Sequence, residues 1–361
     1  MKLVIATPLY PPEIGGPSTY AKLLVERLPE RGIEVELIKF SDVRRLPKLL
    51  RHYVYERRVR AALRGADAAL ALDPVSVGLP TMRAAKKMRK PFIVKIVGDY
   101  AWEQGQQHFG VRQDLDEFVK TKQSSLRVRV LQSIQMRTAH AARHILVPSE
   151  YLKNIVVAWG IPSEKIEIIY NAVLPEEFGV VPEAMANLSR PLVVTAGRLV
   201  SWKHVDGVID AVSRIPEVSL AIIGDGPERR VLTQYALESL PGRAVLTGML
   251  SHKDTLAAIR FADVFVLNSS YEGLSHLLIE ALAIGVPIVA TRAGGNAEVI
   301  EDGSTGLLIQ AGDTEDLVRA LARVITDSAL RKRFGTQIRE SSKRFSIETM
   351  LTATSKLLHT L

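Results

Sequence analysis

Short apolar runs of strand length alternate with stretches whose apolar residues recur at helical spacing, from the first residues of the chain onward. In the first half this pattern predicts strands at Leu3–Thr7, Val35–Phe40, Ala68–Leu72, Phe92–Val97 and Ile145–Pro148, with helices near Thr19–Pro29 and before Lys90. It restarts after the Pro- and Glu-containing stretch Leu174–Pro191, with strands at Leu192–Ala196, Leu220–Ile223, Ala244–Leu246, Val264–Leu267 and Ile288–Ala290 and helices near Val205–Ser213 and Glu228–Glu238. Such alternation means βαβ units and parallel sheets. The expected fold is therefore α/β, with two doubly wound domains at 1–175 and 176–345 facing across a cleft. A last helix within 346–361 is expected to pack back on the first domain. Residues 98–140 break the alternation. They read as a long polar connection carrying Tyr100, Trp102, His108 and Phe109, followed by a helix, in the role of a lid or acceptor loop.

A chain of 361 residues suits two such domains, and no apolar run approaches the roughly 20 residues that span a bilayer. The start, Met-Lys-Leu-Val-Ile-Ala-Thr-Pro, reads as a first strand rather than a signal peptide, which predicts a cytoplasmic protein. The absence of cysteine excludes disulfides and thiolate nucleophiles or metal ligands. With 47 basic against 39 acidic residues the net charge is +8, which favours an anionic partner: phosphates, nucleic acid or anionic lipid. Arg44, Arg45, Lys48, Arg51, Arg57, Arg58, Arg60 and Arg64 interleave with Leu46, Leu49, Leu50, Tyr53, Val54 and Val59. That composition suits either a segment lying on anionic membrane or a solvated helix face. Lys86, Lys87, Arg89 and Lys90 repeat the bias.

The candidate chemistry falls at strand ends, where doubly wound sheets bind ligands. After the strand containing Val264, Glu272-Gly273-Leu274-Ser275 leads into a helix carrying Glu280. Its first backbone N–H groups and dipole would seat an anion, and eight residues of helix span about 12 Å. The two carboxylates thus suit two ends of one extended ligand. Gly15-Gly16 precede the first helix and permit close approach of a phosphate. Gly197-Arg198 and Lys203 follow the first strand of the second half, placing a bidentate fork and a point charge where a diphosphate could sit. Gly224-Asp-Gly-Pro, Gly248-Met249-Leu250 and Arg292-Ala-Gly294-Gly295-Asn-Ala-Glu298 mark three further loops on that side.

In order, the Gly-Gly loop, Gly-Arg-Leu-x-x-x-Lys, Gly-Asp-Gly-Pro, Glu-Gly-x-x-x-x-x-x-Glu-Ala and Gly-Gly-x-x-Glu resemble the retaining glycosyltransferases of family 4 over essentially the whole chain. The resemblance implies the GT-B fold of two Rossmann-like domains. It further implies a UDP- or GDP-linked sugar as substrate, held mainly by the C-terminal domain, and a glycan or lipid-linked acceptor held mainly by the N-terminal one, with no cofactor and no metal. Arg198 and Lys203 would stabilise the leaving diphosphate, and Glu280 would accept from the ribose hydroxyls. Glu272 would contact the transferred sugar, beside the N–H groups of Gly273, Leu274 and Ser275. Gly197 and Gly224 would lie along the donor, Met249 and Leu250 at the base, Gly15 and Gly16 over the diphosphate, and Asp99 on the sugar and acceptor side. Two positions depart from the family pattern: Gly98 stands where many members carry His, and Ser275 where many carry Gly or another small residue.

No residue stands out as a covalent nucleophile, so the implied reaction is front-face transfer with retention. Asp114-Leu-Asp116 resembles a metal motif of the other glycosyltransferase fold, but lies in the polar connection rather than at a strand end. Other readings are a non-catalytic nucleic-acid-binding protein, against which no aromatic and basic recognition motif is visible, and a nicotinamide-dependent oxidoreductase, against which the Gly-x-Gly-x-x-Gly turn is missing after the first strand. A GT-B nucleotide-sugar epimerase or a glycogen-type synthase is a nearer alternative. The expected setting is cytoplasmic, peripheral on the inner face of the plasma membrane.

Overall fold

A computed structural model describes residues 1–13, 15–121, 123, 125–173 and 178–361, the side chains of 48, 49, 336, 339 and 340 excepted. It resolves into two compact units, Met1–Asn171 with Glu348–Leu361, and Ala172–Ile347. The boundary expected at 175/176 lies outside the described residues.

The first unit contains strands β1 (Lys2–Thr7), β2 (Glu34–Lys39), β3 (Ala68–Ala71), β4 (Phe92–Lys95), β5 (His144–Val147) and β6 (Ile166–Ile168), in the order β2-β1-β3-β4-β5-β6. All pairs are parallel, with Ala6 level with Ala71 and Lys95 level with Leu146. Leu3 to Ala6 are wholly buried, as a parallel strand covered on both faces must be. The chain leaves β1 to one side for β2 and returns on its other side for β3. A crevice therefore opens beyond the carboxyl ends of β1 and β3.

The second unit repeats the plan with β7 (Leu192–Ala196), β8 (Ser219–Ile223), β9 (Ala244–Gly248), β10 (Val264–Leu267), β11 (Ile288–Thr291) and β12 (Leu307–Ile309), in the order β12-β11-β10-β7-β8-β9. Here the reversal falls between β7 and β10, paired with Val266 level with Thr195. The loops leaving those two strands carry Gly197, Arg198, Lys203 and Glu272.

The helix Ile347–Leu358 belongs chiefly to the first unit, where Met350, Leu351 and Leu358 are buried and Arg31 meets Glu348 at 2.7 Å. The polar connection expected at 98–140 carries two helices, Tyr100–His108 and Leu115–Lys120, ahead of the expected helix, which spans Leu126–Ala141. A few large anchors hold them in place: Trp102 is buried and donates from its indole to the Gln113 carbonyl at 2.9 Å, and Leu115 and Phe118 are buried too. Asp99 and Asp114 cap two of these helices by accepting from Trp102 N and Glu117 N. Polar outer faces hid these helices from a reading by composition. β6 and β12 are three-residue edge strands, too short to show periodicity. No described helix is long and apolar enough to cross a membrane.

Candidate functional site

The loop after β7 turns through Gly197 at φ 147°, exposes Arg198, and closes in a short 3-10 turn over Ser201–Lys203. Lys203 Nζ donates to Glu272 Oε1, and the Ser269 hydroxyl donates to the same oxygen at 2.7 Å. Both charges are largely out of water, with side-chain exposures of 19% for Lys203 and 10% for Glu272. Attraction at such a site exceeds that of a surface pair. Two backbone ties clamp the β7 loop to the β10 loop: Ser270 N donates to Trp202 O at 2.8 Å, and the Asn268 amide donates to His204 O at 3.0 Å.

The glycines of the neighbouring loops make this clamp possible. A Cβ at Gly294 would lie 1.9 Å from the Glu272 carbonyl, and one at Gly295 would lie 2.4 Å from that of Gly273. Gly295 N donates to Glu272 O at 3.0 Å. On the other flank a Cβ at Gly224 would lie 1.9 Å from Gly197 O, and Gly197 N is bonded to Ile223 O at 2.9 Å. Backbone is thus packed directly on backbone from β8 across to β11, where any side chain would force the loops apart. Gly224 serves this contact, a role that spacing along the chain does not reveal.

Ser275 is the N-cap of the helix His276–Ile284, its hydroxyl accepting from Leu278 N at 3.3 Å, so the helix starts just beyond Glu272 and Gly273. Glu280, one turn further in, is buried and its Oε1 lies 2.8 Å from His252 Nε2. His252 opens the helix His252–Phe261 directly after Met249, Leu250 and Ser251, and Met249 is 66% exposed. Sequence reasoning missed His252. Its meeting with Glu280, 28 positions away, depends on how two helices pack.

In the first unit Gly15 caps the helix Gly16–Arg27 with φ 148°, at the end of the β1 loop. Arg44, one of the basic residues of the 44–64 segment, pairs with Glu13 and donates to Pro8 O at 3.3 Å, bracing that loop. Arg58 meets Asp42 at 3.2 Å. Leu50 and Tyr53 remain exposed, with Arg57 over the Tyr53 ring at 6.0 Å. Asp99, expected on the sugar and acceptor side, is buried in the first unit. Its carboxylate is 1% exposed and is taken up by Trp102 N and Gln135 Nε2, both at 2.9 Å, and Trp159 Nε1 at 3.2 Å. Burial raises its pKa despite these bonds. Enclosed in this way it fastens three helices. Asp114 is spent on its helix cap, and Tyr151 addresses Asp116 at 3.4 Å.

Two doubly wound units, the second with paired charges at its topological switch point, define a two-domain α/β protein built to bind a ligand beyond its strand ends. Residues 14–177 match the family described as Glycosyltransferase Family 4, and residues 182–341 match Glycosyl transferases group 1. The chain belongs to the glycosyltransferases built from these two domains. It is 36% identical over 170 residues to the lipopolysaccharide core biosynthesis glycosyltransferase LpsE of Rhizobium meliloti, a match covering 46% of this chain and 49% of that protein, about half its length. It is 23% identical to the N-acetyl-alpha-D-glucosaminyl L-malate synthase of Bacillus anthracis, over 94% of this chain and 92% of that one. Anabaena Alr3699/HepE, solved in complex with UDP-glucose, superimposes with a TM-score of 0.78 at 19% identity and full coverage of both chains, and so shares the GT-B fold.

Proposed function

We propose that this chain is a retaining glycosyltransferase that moves a sugar from a nucleotide-diphosphate sugar to a hydroxyl of a glycan or lipid-linked acceptor. The observation that carries the reading is the Lys203–Glu272 pair at the β7/β10 switch point, with Arg198 exposed two residues past the end of β7. The second unit takes the donor. Arg198 and Lys203 receive the diphosphate, and the bare backbone at Gly197 allows it to come close. Glu280, steadied by His252, accepts from the ribose hydroxyls, and the Met249–Leu250 segment meets the base. Glu272 Oε2, left over by Lys203 and Ser269, accepts from a sugar hydroxyl, and the N–H groups of Gly273 to Ser275 lie beside it.

In the transfer the bond from the anomeric carbon to the diphosphate oxygen breaks as Arg198 and Lys203 absorb the charge. The acceptor oxygen bonds to that carbon on the same face, and its proton passes to the departing phosphate oxygen. Glu272, tied to Lys203 and Ser269, positions the sugar and does not attack it. The two cations supply the charge neutralisation that a divalent ion supplies elsewhere. The UDP-glucose complex of the Anabaena neighbour supports a uridine donor, with guanosine as the other choice. The lipopolysaccharide core biosynthesis relative supports a glycan or lipid-linked acceptor. Exposed Leu50, Tyr53 and Arg57 support peripheral attachment to the inner face of the plasma membrane.

Thermal-shift measurements against nucleotide diphosphates and nucleotide sugars, with NAD and an oligonucleotide as controls, test the reading. Stabilisation by one nucleotide diphosphate, indifferent to EDTA and lost in Arg198→Ala, is expected. Stabilisation only by NAD or the oligonucleotide overturns it.

A further inference from the structure

The first unit carries a group of polar side chains at its own switch point that the donor reading does not use. The loop after β3 is built on Asp73, whose carboxylate accepts from Val75 N and Ser76 N, both at 2.6 Å, so that the turn is held and the carboxylate is occupied. Arg51 and His52 stand on the helix Lys48–Ala62, which packs against the helix Gly78–Met88 that follows this loop and carries Arg83, whose charge acts on His52; Tyr100 opens the helix Tyr100–His108. His52 and Tyr100 both lie near Ser76, close enough for its backbone and side chain to bear on the imidazole and the phenol. Phe40 backs the group, with its ring 5.3 Å from that of His52 and the Arg51 guanidinium 5.5 Å above it.

The two arginines are unspent. Arg51 Nε is buried with no hydrogen-bond partner, and among the described residues neither Arg51 nor Arg83 has a carboxylate within ion-pair distance. A buried donor without an acceptor is costly, and two guanidinium groups beside one imidazole repel. Burial first, then the charges of Arg51 and Arg83, hold His52 below its ordinary pKa, against the opposing pull of the Ser76 backbone. A group of this composition lacks a compact, multiply charged acceptor of hydrogen bonds.

We propose that Arg51, Arg83, His52, Ser76 and Tyr100 form a binding site for a phosphate ester group carried by the acceptor substrate, at the carboxyl edge of β1, β3 and β4. A phosphate offers three outward oxygens, enough to engage both guanidinium groups and a hydroxyl at once, and its charge relieves the repulsion around His52. The assignment of that phosphate to an acceptor rests on the glycosyltransferase reading above. The existence of the anion site does not.

The test titrates glycerol 3-phosphate into the full chain by calorimetry and follows the His52 ring proton by NMR. Wild type is compared with Arg51→Gln, Arg83→Gln, the double variant, and Arg64→Gln as an exposed arginine outside the group. Affinity is expected to fall about tenfold or more for each single variant, and to hold in Arg64→Gln. His52 in wild type is expected to titrate at higher pH when the ester is bound. Arg83 is exposed, so its variant keeps the test valid even if loss of Arg51 disturbs folding. Competition by phosphatidylglycerol vesicles that is lost in the double variant places the phosphate on a lipid; no competition places it on a soluble acceptor. Failure of the ester to bind wild type, or equal binding to the double variant, overturns the site. A nucleotide-diphosphate thermal shift on the same proteins separates the two claims. If wild type shows none while ester binding still depends on the arginines, the donor reading falls and the anion site stands.

Discussion

Gly294 presses its backbone so closely against Glu272 that a methyl group at position 294 would lie 1.9 Å from the Glu272 carbonyl oxygen. The φ of 53° at Gly294 adds a second reason for glycine, since left-handed backbone disfavours any Cβ. Gly294→Ala is therefore expected to cost at least about 3 kcal/mol and to abolish nucleotide binding. Gly312→Ala is the control. Gly312 has φ 81° but nothing within 4 Å, so it should lose only about 1 kcal/mol and bind normally. Equal losses in denaturant unfolding of the two variants would show that close packing is not the cause.

The Lys203–Glu272 pair predicts an asymmetric pair of variants. Glu272→Gln keeps an oxygen for Ser269 to address, so the fold should hold while turnover falls about 100-fold with the donor KM little changed. Lys203→Ala strands a mostly buried carboxylate and is expected to lower stability by roughly 1–3 kcal/mol as well as turnover. Full turnover in Glu272→Gln would remove that residue from the sugar site.

Asp99 should behave as a structural residue. Asp99→Ala deletes a helix cap and orphans the Gln135 amide and the Trp159 indole, at an expected cost of about 2–4 kcal/mol. At a temperature where the variant is still folded, the nucleotide-diphosphate shift should persist, since Arg198, Lys203, Glu272 and Glu280 belong to the other unit. Loss of turnover without loss of stability would return Asp99 to the chemistry.

Lys95, at the end of β4, is buried with no hydrogen-bond partner and sits 3.9 Å from the centre of the Tyr20 ring. Burial pushes its pKa down from 10.5 to about 7. Between those values the unfolded chain holds a proton that the folded chain has released, so this group makes stability rise with pH across that window. Below about pH 7 both states are charged and the burial penalty is at its full size. Lys95→Met should accordingly stabilise the protein most at pH 6–7, on the order of 1–4 kcal/mol with the Tyr20 contact offsetting part, and its advantage should shrink towards pH 10. Urea unfolding of both proteins at pH 6.5, 8 and 9.5 checks the slope; a gap independent of pH would mean that Lys95 does not titrate there.

Much of this molecule is legible from local pattern. The run Leu192–Ala196 and the helix Val205–Ser213 have the bounds that periodicity predicts, because fully buried parallel strands are near-continuous apolar runs and a core-facing helix repeats at its own pitch. Polar helices anchored by single residues such as Trp102 escaped, since one buried ring does not make a period. The capping bond of Asp99 lies on the sequence, as an acidic residue three before the amide it accepts from. Its partners Gln135 and Trp159 do not.

The sequence by itself determined the two doubly wound units, the glycines that mark the loops, and Arg198, Lys203, Glu272 and Glu280 as candidates at the strand ends, because each of these is a property of a few neighbouring residues. Tertiary structure alone decided what those residues touch. Lys203 and Glu272 are 69 positions apart, and His252 and Glu280 are 28 apart. They meet because the sheet order sets β7 beside β10 and packs the helix after β9 against the helix after β10, and strand order is a choice of the whole packed chain rather than of any window along it.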